Sequence, residues 1–584
     1  MDPRLKLIIK GNPNEELHLL LRLKNENQTP KYAKVIAQFG DIISCRILRK
    51  HLMMVYDDKA TRSLKAPQVI PANRDFTTKS EERGFTNTTY KTLRVNKSKK
   101  SNVVFGIIDF GFDFTHPDFL DAHQQTRFEK IWVQAKKQDS PNKYNYGQIY
   151  DEKSINKALA SSKPFEYLKY HPGVADFFGR GMHGTHVLGI AAASGNVGKK
   201  GFAGNSPIIA VDMGSNYVNG SDLSLGDSVK LVGGIDFILE QAGNRPCVIN
   251  MSLGGHGDAH TGQTLVELAI NNVLKSRKGL AIVQSTGNYF NAKCHHLSTI
   301  DEGEEQEIEW VFKKVDNTPN EMEIWYENED ELTVELYNED GELLGESEAY
   351  KDAIFGVEGK KDGIIFHRAK EPNTGKNHIN IIIAGKPISG SIIVKVIGKS
   401  IKNGRFHAYI ERDDRGQSYF HPQDVNTNHT IGSICNAPLA ITVGAYDQRN
   451  KNKYPMSFSS AGPTVDGRVK PEIVAPGSKI FAAKSASKFE AFASGKLTSK
   501  SGSSMAAPYV ASLIVKILEE YPSINIYELR RYLFKYCKIY KSSSETIKNK
   551  TGYGAINTIG LIQDLIKKRN GDENNKKIQN SLLL

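Results

Sequence analysis

At 584 residues the chain is too long for one compact core, so three or more domains are expected. A formal charge of +12 with an ordinary apolar fraction of 39% excludes a disordered or membrane-embedded chain, and no stretch is long and apolar enough to span a bilayer. The basic excess raises nucleic-acid binding as a function, but the lysines are dispersed and no binding motif occurs, so neither nucleic acid nor membrane is expected as a partner. Cys45, Cys247, Cys294, Cys435 and Cys537 lack metal-type spacing and are odd in number, which argues for reduced, mostly buried thiols. The start, Met1-Asp2-Pro3-Arg4-Leu5-Lys6, lacks the basic-then-apolar pattern of a secretory signal, so an intracellular, cytoplasmic protein is expected.

From the amino end, Leu17 to Lys24 reads as a strand. Thr29-Pro30 opens a helix through Phe39 with Gly40 as its stop, and Ile42 to Leu48 and His51 to Tyr56 suit two further strands. A short helix about Lys59 to Lys65 and then Val69-Ile70-Pro71 complete a β-α-β-β-α-β order, a small α+β domain over residues 1–75. Residues 76–102 turn polar and uneven, ending Lys97-Ser98-Lys99-Lys100-Ser101-Asn102, which is linker composition and the kind of segment in which chains are cut.

The apolar run Val103 to Ile108 reads as a buried parallel strand ending on Asp109, at the edge where open α/β sheets build their sites. His183 stands at the head of an apolar helix, His183-Gly184-Thr185-His186-Val187-Leu188-Gly189-Ile190-Ala191-Ala192, with small residues on its packing face. Ser501-Gly502-Ser503-Ser504-Met505-Ala506-Ala507-Pro508 carries a small turn into an apolar helix, so Ser504 falls in the first turn, where backbone N–H groups can donate to an oxyanion. Singly, these are a turn-capping Asp, a structural His and an N-cap Ser. Together they supply a carboxylate, an imidazole and a hydroxyl, the set in which a base takes the proton of a nucleophile.

The order Asp, His, Ser and the boxes around them resemble the subtilisin-type serine peptidases. Asp109 matches the family's Asp box, His183 the first His of its His-Gly-Thr-His box, and Ser504 the serine of its nucleophile box, where Ser503 replaces the usual Thr and keeps a hydroxyl. Val248 to Gly255 resembles the strand lining the substrate cleft, and Ala281 to Asn288 the oxyanion segment. The resemblance covers about residues 103–298 and 428–565. It implies an α/β fold with a parallel sheet flanked by helices, catalytic Asp109, His183 and Ser504, and Asn288 as oxyanion donor. It also implies Ser252, Leu253 and Gly254 as the edge on which an extended polypeptide pairs. His186 lies three residues on, on a neighbouring helix face, and the resemblance assigns the base to His183 instead. Residues 1–75 then resemble a propeptide that assists folding and inhibits its own protease, with self-cleavage within 76–102. Ser194 to Gly201 holds the place of the calcium loop of secreted subtilisins. Asp118 and Asn196 match ligand positions, but Lys199 and Lys200 would repel a cation, so no metal and no cofactor is expected.

The stretch between the Asp and His boxes is longer than a minimal subtilisin needs, and with the insert described next it resembles the Csp-type germination proteases, which activate another proenzyme by limited proteolysis. Residues 299–427 separate Asn288 from the nucleophile box. Their short alternating runs, from Ile308 to Phe312 through Phe406 to Ile410, predict an all-β insert of jelly-roll type. Residues 301–350 carry 19 Asp or Glu against two Lys, read as a solvated acidic face. Residues 103–298 and 428–568 thus form the two parts of the catalytic domain, and the polar 569–584 a disordered tail. A catalytically silent regulatory protein on the same fold is the alternative, disfavoured because all three catalytic residue types are kept; an α/β-hydrolase esterase is disfavoured because Ser504 lacks the second Gly of a nucleophile elbow.

Overall fold

The computed structural model describes the chain apart from residues 67–99, 138, 140, 177–178, 215–226, 314–318, 358–359, 384–389, 412–417, 494 and 582–584. The proposed cleavage linker, except its last three residues 100–102, and the expected strand Val69-Ile70-Pro71 therefore lie outside the described residues.

The central layer is a ten-stranded sheet. Its core runs Ile473–Pro476, Ile441–Tyr446, Leu280–Ser285, Cys247–Met251, Val104–Asp109, Ile208–Asp212 and Phe128–Val133, with every neighbouring pair parallel. Val104–Asp109, Cys247–Met251 and Leu280–Ser285 are buried at every position, as continuous apolar runs covered on both faces should be. The strand order reverses about Val104–Asp109: Ile208–Asp212 and Phe128–Val133 lie on one side of it, and the later Cys247–Met251 and Leu280–Ser285 on the other. That reversal is where an open α/β sheet leaves a crevice beyond its carboxyl edge. Helices His183–Ala192, Asp227–Ala242, Leu265–Ser276 and Ser503–Glu520 join the sheet in one apolar core.

The amino-terminal unit is α+β, but its elements differ from the order read in the sequence. Helix Pro3–Ile8 comes first, and the four strands Lys34–Phe39, Ile42–Leu48, Glu16–Leu23 and Thr61–Lys65 lie side by side in that order, all antiparallel. The expected helix over 29–39 is the strand Lys34–Phe39. Gly40, with φ +59°, turns a hairpin in which Phe39 faces Ile42, so a glycine that could stop a helix instead turns a strand. The stretch His51 to Tyr56 is helical from Leu52, burying Leu52 and Val55 one turn apart, and Lys59 to Lys65 is a strand because Thr61–Lys65 finds a free edge of Glu16–Leu23. Leu20, Ile36, Phe39 and Ile42 join the main core, and Asn272 Nδ2 donates to Phe39 O at 2.9 Å, so this unit packs on a helical face of the ten-stranded sheet.

The insert is a β-sandwich of one six-stranded and one five-stranded antiparallel sheet. It encloses a separate core that includes Ile308, Trp310, Met322, Ile324, Ile379, Ile381, Val394 and Val396. Each expected run is a strand. The sandwich also begins earlier than residue 299, at His295–Thr299, which carries little alternation of its own and is held by pairing with Arg405–Ile410. Part of its acidic stretch is not solvated: Glu323 is buried, and Arg4 of the amino-terminal unit forms an ion pair with Glu321. The five cysteines are free, four of them buried and Cys537 partly so. The closing helix Thr558–Ser581 extends into the stretch expected as a disordered tail, as far as Ser581. Its start is seeded by Leu561 and Leu565 against the main core, and Arg569 pairs with Glu520. Among the described residues no helix is long and apolar enough to cross a membrane.

A buried ion network ties Ile441–Tyr446 and Ile473–Pro476 of the central sheet to the helix Ile526–Phe534. Glu472 Oε1 lies 2.7 Å from Lys470 Nζ and 2.9 Å from Arg530 Nη1, while Oε2 accepts from Thr442 N at 2.8 Å. Burial holds the Lys470 ammonium down to about 8, against the pull of Glu472. Glu472→Ala leaves two cations without their counter-charge and the Thr442 amide without its acceptor, and should lower stability by about 3–5 kcal/mol, read from urea unfolding; a loss below about 1 kcal/mol would show that the network does not hold this part of the fold.

Candidate active site

Asp109 closes its strand fully buried, and its Oδ1 accepts from Phe110 N at 2.7 Å. His183 is the first residue of its helix, and its Nδ1 lies 2.6 Å from Asp109 Oδ1. The junction between these two elements is built from backbone. The first-turn N–H of Gly184 donates to Phe110 O at 2.8 Å and that of Thr185 to Gly111 O at 3.0 Å, which satisfies donors that a helix start leaves unpaired. A Cβ on Gly184 would lie 2.8 Å from Phe110 O, so glycine is what lets the helix come this close. Thr185, not singled out in the sequence reading, adds its hydroxyl to Gly111 O at 2.8 Å and accepts from Asp113 N at 2.9 Å. His186 turns to backbone carbonyls: its Nε2 lies 3.0 Å from Ile480 O and 3.1 Å from Thr498 O, beneath the hairpin Ile480–Ala483/Leu497–Lys500.

Ser504 sits in the first turn of the buried helix Ser503–Glu520. Its Oγ donates to Ser252 O at 3.4 Å, and Ser252 Oγ returns a bond to Ser504 O at 3.2 Å. Pro508 explains the second bond: it lacks the N–H that would otherwise take the Ser504 carbonyl in the i→i−4 ladder. Ser252 is held in turn by Asn250 Nδ2 at 3.0 Å. The nucleophile box and the proposed cleft strand Ser252-Leu253-Gly254 are thus joined directly.

Asn288 lies against the same turn. Its Oδ1 accepts from Ser503 N and Ser503 Oγ, both at 3.0 Å, which turns the Nδ2 end of the amide away from them. The replacement of Thr by Ser at 503 therefore keeps the hydroxyl that orients Asn288. Gly287 runs at φ +92°, and a Cβ there would lie 2.7 Å from the Tyr289 ring.

Asp212 is the residue the sequence reading missed. It stands opposite Asp109 in register, accepts from Tyr170 OH at 2.7 Å and Gly214 N at 2.9 Å, and burial raises its carboxyl above the ordinary range. Its signal was available, since Ile208 to Asp212 repeats the pattern of an apolar strand ending on Asp.

The loop matched to a calcium site does not fit a cation. Both Asp118 oxygens are taken by backbone donors, Val197 N at 2.8 Å and Gly198 N at 2.9 Å. Nearby, Arg127 places a buried guanidinium on the carbonyls of Asp118, Ala192, Ala203 and Ser206, the oxygen donors a metal would otherwise seek. Among the described residues no group of three or more His, Cys, Asp or Glu is placed to hold a metal ion.

The family model described as Subtilase family matches residues 100–307 and 370–554. Among curated proteins, the serine protease AprX of Bacillus subtilis (strain 168) is 32% identical over 140 residues, covering 22% of this chain and 31% of that protein. Subtilisin DY of Bacillus licheniformis is 34% identical over 107 residues, 18% of this chain and 33% of its own. The alignments thus span about a third of the length of these curated relatives. Among solved structures, the CspB protease of Clostridium perfringens superposes with a TM-score of 0.67 at 24% identity, over 82% of this chain and 99% of its own, a likeness of fold.

Proposed function

This chain belongs to the subtilase family, and from that premise we propose that it is a subtilisin-type serine endopeptidase acting through Asp109, His183 and Ser504. The observation that supports the reading is the 2.6 Å contact between Asp109 Oδ1 and His183 Nδ1, two groups 74 positions apart in the chain.

The roles follow from the atoms. Asp109 accepts the Nδ1 proton and so leaves Nε2 of His183 as the basic nitrogen. His183 takes the Ser504 hydroxyl proton as Oγ attacks the peptide carbonyl, then gives it to the leaving amine; water repeats the sequence to release the acid. The tetrahedral oxyanion is met by Asn288 Nδ2 and the Ser504 N–H, donors held in place before the charge forms. The substrate is an extended polypeptide added as a strand along Ser252, Leu253 and Gly254. Residues 1–75 act as a propeptide inhibitor removed by cleavage within 76–102, and activation of another proenzyme by limited proteolysis is the physiological task this reading favours, the latter on the resemblance to Csp-type proteases alone.

The test is labelling of the purified protein with a fluorophosphonate probe, with the adduct mapped by peptide mass and the intact mass recorded. An adduct on Ser504, with the first 75 to 100 residues cut from the mature mass, is expected. Absence of label both before and after limited trypsin treatment, which would remove an inhibitory amino-terminal unit, would leave the silent regulatory protein as the better reading.

Asn288→Ala should lower kcat by about 10²- to 10³-fold with little change in KM, because its donor meets a charge that exists only in the transition state. Steady-state kinetics on a peptide substrate decide this; a fall smaller than about three-fold would remove Asn288 from the oxyanion site.

A further inference from the structure

We propose that the inserted β-sandwich is a working part of the cleft, with Glu411 as the positioning residue for the strand that receives the substrate. The inference rests on the reading of Ser252-Leu253-Gly254 as the cleft wall and deepens it.

Glu411 directly follows the sandwich strand Arg405–Ile410, and its own N–H is fixed on Glu321 O at 3.0 Å. Its carboxylate crosses to the catalytic domain, where Oε1 accepts from His256 N at 2.8 Å and Oε2 from Gly257 N at 2.9 Å. These two amides lie just beyond the cleft wall in the chain. Bonds from backbone N–H to an ionised carboxylate are about twice as strong as neutral ones, and the bidentate arrangement fixes direction as well as distance. The glycines around them permit it: a Cβ on Gly255 would lie 2.8 Å from Glu411 Oε1, and one on Gly257 2.9 Å from Oε2.

A second arm reaches the wall itself. Tyr289 follows the proposed oxyanion residue Asn288, belongs to the sandwich's apolar core, and donates its hydroxyl to Gly254 O at 3.0 Å. Its ring packs on that of His256 with centroids 4.7 Å apart, and its N–H is held on Ser460 Oγ at 2.9 Å. The last residue of the wall and the turn after it are therefore held from the insert side by a carboxylate and a phenol, while the nucleophile side is held by Ser504.

An edge strand that must order as it binds takes that entropic cost out of its affinity, and an edge already ordered does not. The clamp touches none of the reacting atoms. Its loss is therefore read in the binding of extended peptides rather than in the reactivity of Ser504.

The experiment uses the full-length protein carrying Glu411→Gln, which keeps the size but loses the charge and one acceptor, and Tyr289→Phe, which keeps the ring. Each is assayed on a peptide of six or more residues, on a p-nitrophenyl ester and by the rate of labelling with a small fluorophosphonate. KM for the peptide should rise about ten-fold in each variant, while kcat, ester turnover and labelling stay within about two-fold. Amide exchange at His256 and Gly257 should quicken in Glu411→Gln. An equal fall on peptide, ester and probe would make the two residues merely structural and overturn the inference, as would an unchanged peptide KM. A wild type that neither labels nor cleaves would sink the catalytic reading and this one with it, whereas an active wild type with unaltered variants sinks this one alone.

Discussion

Replacing Ser504 by Ala is expected to abolish turnover, with kcat falling by about 10⁶-fold, the scale seen when the nucleophile of subtilisin is removed. The loss is not graded, because the remaining groups act on the nucleophile. Without an Oγ, His183 has no proton to move and the bond between Asp109 and His183 orients a base with nothing to activate. Folding should survive, since Ser504 Oγ makes one long bond, 3.4 Å to Ser252 O, while the return bond from Ser252 Oγ goes to the Ser504 carbonyl that alanine keeps. The variant should therefore bind an extended peptide, reject the fluorophosphonate and keep its amino-terminal unit covalently attached, all of which intact mass and calorimetry read. A Ser504→Ala protein still shortened at the amino end would show that another protease makes that cut.

Asp109→Asn is expected to lower kcat by about 10⁴-fold at neutral pH without unfolding the protein. Asparagine has the shape of aspartate, and turning its amide nitrogen to His183 gives up only the bond that Asp109 Oδ1 accepts from Phe110 N at 2.7 Å, since both contacts fall on that one oxygen. What changes is the proton. A carboxylate can only accept from His183 Nδ1, so Nε2 is left basic; an amide can donate to Nδ1 instead, which places the imidazole proton on Nε2 and removes the acceptor for the serine proton. The buried setting of Asp109 sharpens the effect, since no water stands in for the lost acceptor charge at a position with no exposure. The pH dependence of kcat/KM, measured beside the melting temperature, separates the outcomes. A loss below about ten-fold in a folded variant would take Asp109 out of the proposed triad, and an unfolded variant would call for Asp109→Ser with the same readout.

The three boxes were legible because each carries its own local signal. An apolar run ending on Asp109, a small-faced helix headed by His183 and a Gly-Ser turn into a buried helix at Ser504 keep their structure whatever surrounds them. The insert was legible for a similar reason, since alternating β-branched and charged residues between turns suit one conformation. The amino-terminal unit was not. Lys34–Phe39 and Thr61–Lys65 are short, and their residues satisfy a helical period about as well as an alternating one, so only the partner strands Ile42–Leu48 and Glu16–Leu23 decide between them.

By itself, the sequence determined the fold class, the order of the Asp, His and Ser boxes and the presence of a sandwich between the two stretches of the family match, because those depend on hydrophobic periods of a few residues. Tertiary structure alone decided what crosses between units. Glu411 meets the amides of His256 and Gly257 across about 155 residues, Arg127 closes over the Ala192 carbonyl, and Arg4 pairs with Glu321 in the insert. A charged side chain reads the same in a sequence whether it ends in water or on a backbone amide far along the chain, and which of the two it meets is fixed only when the packed cores bring those surfaces together.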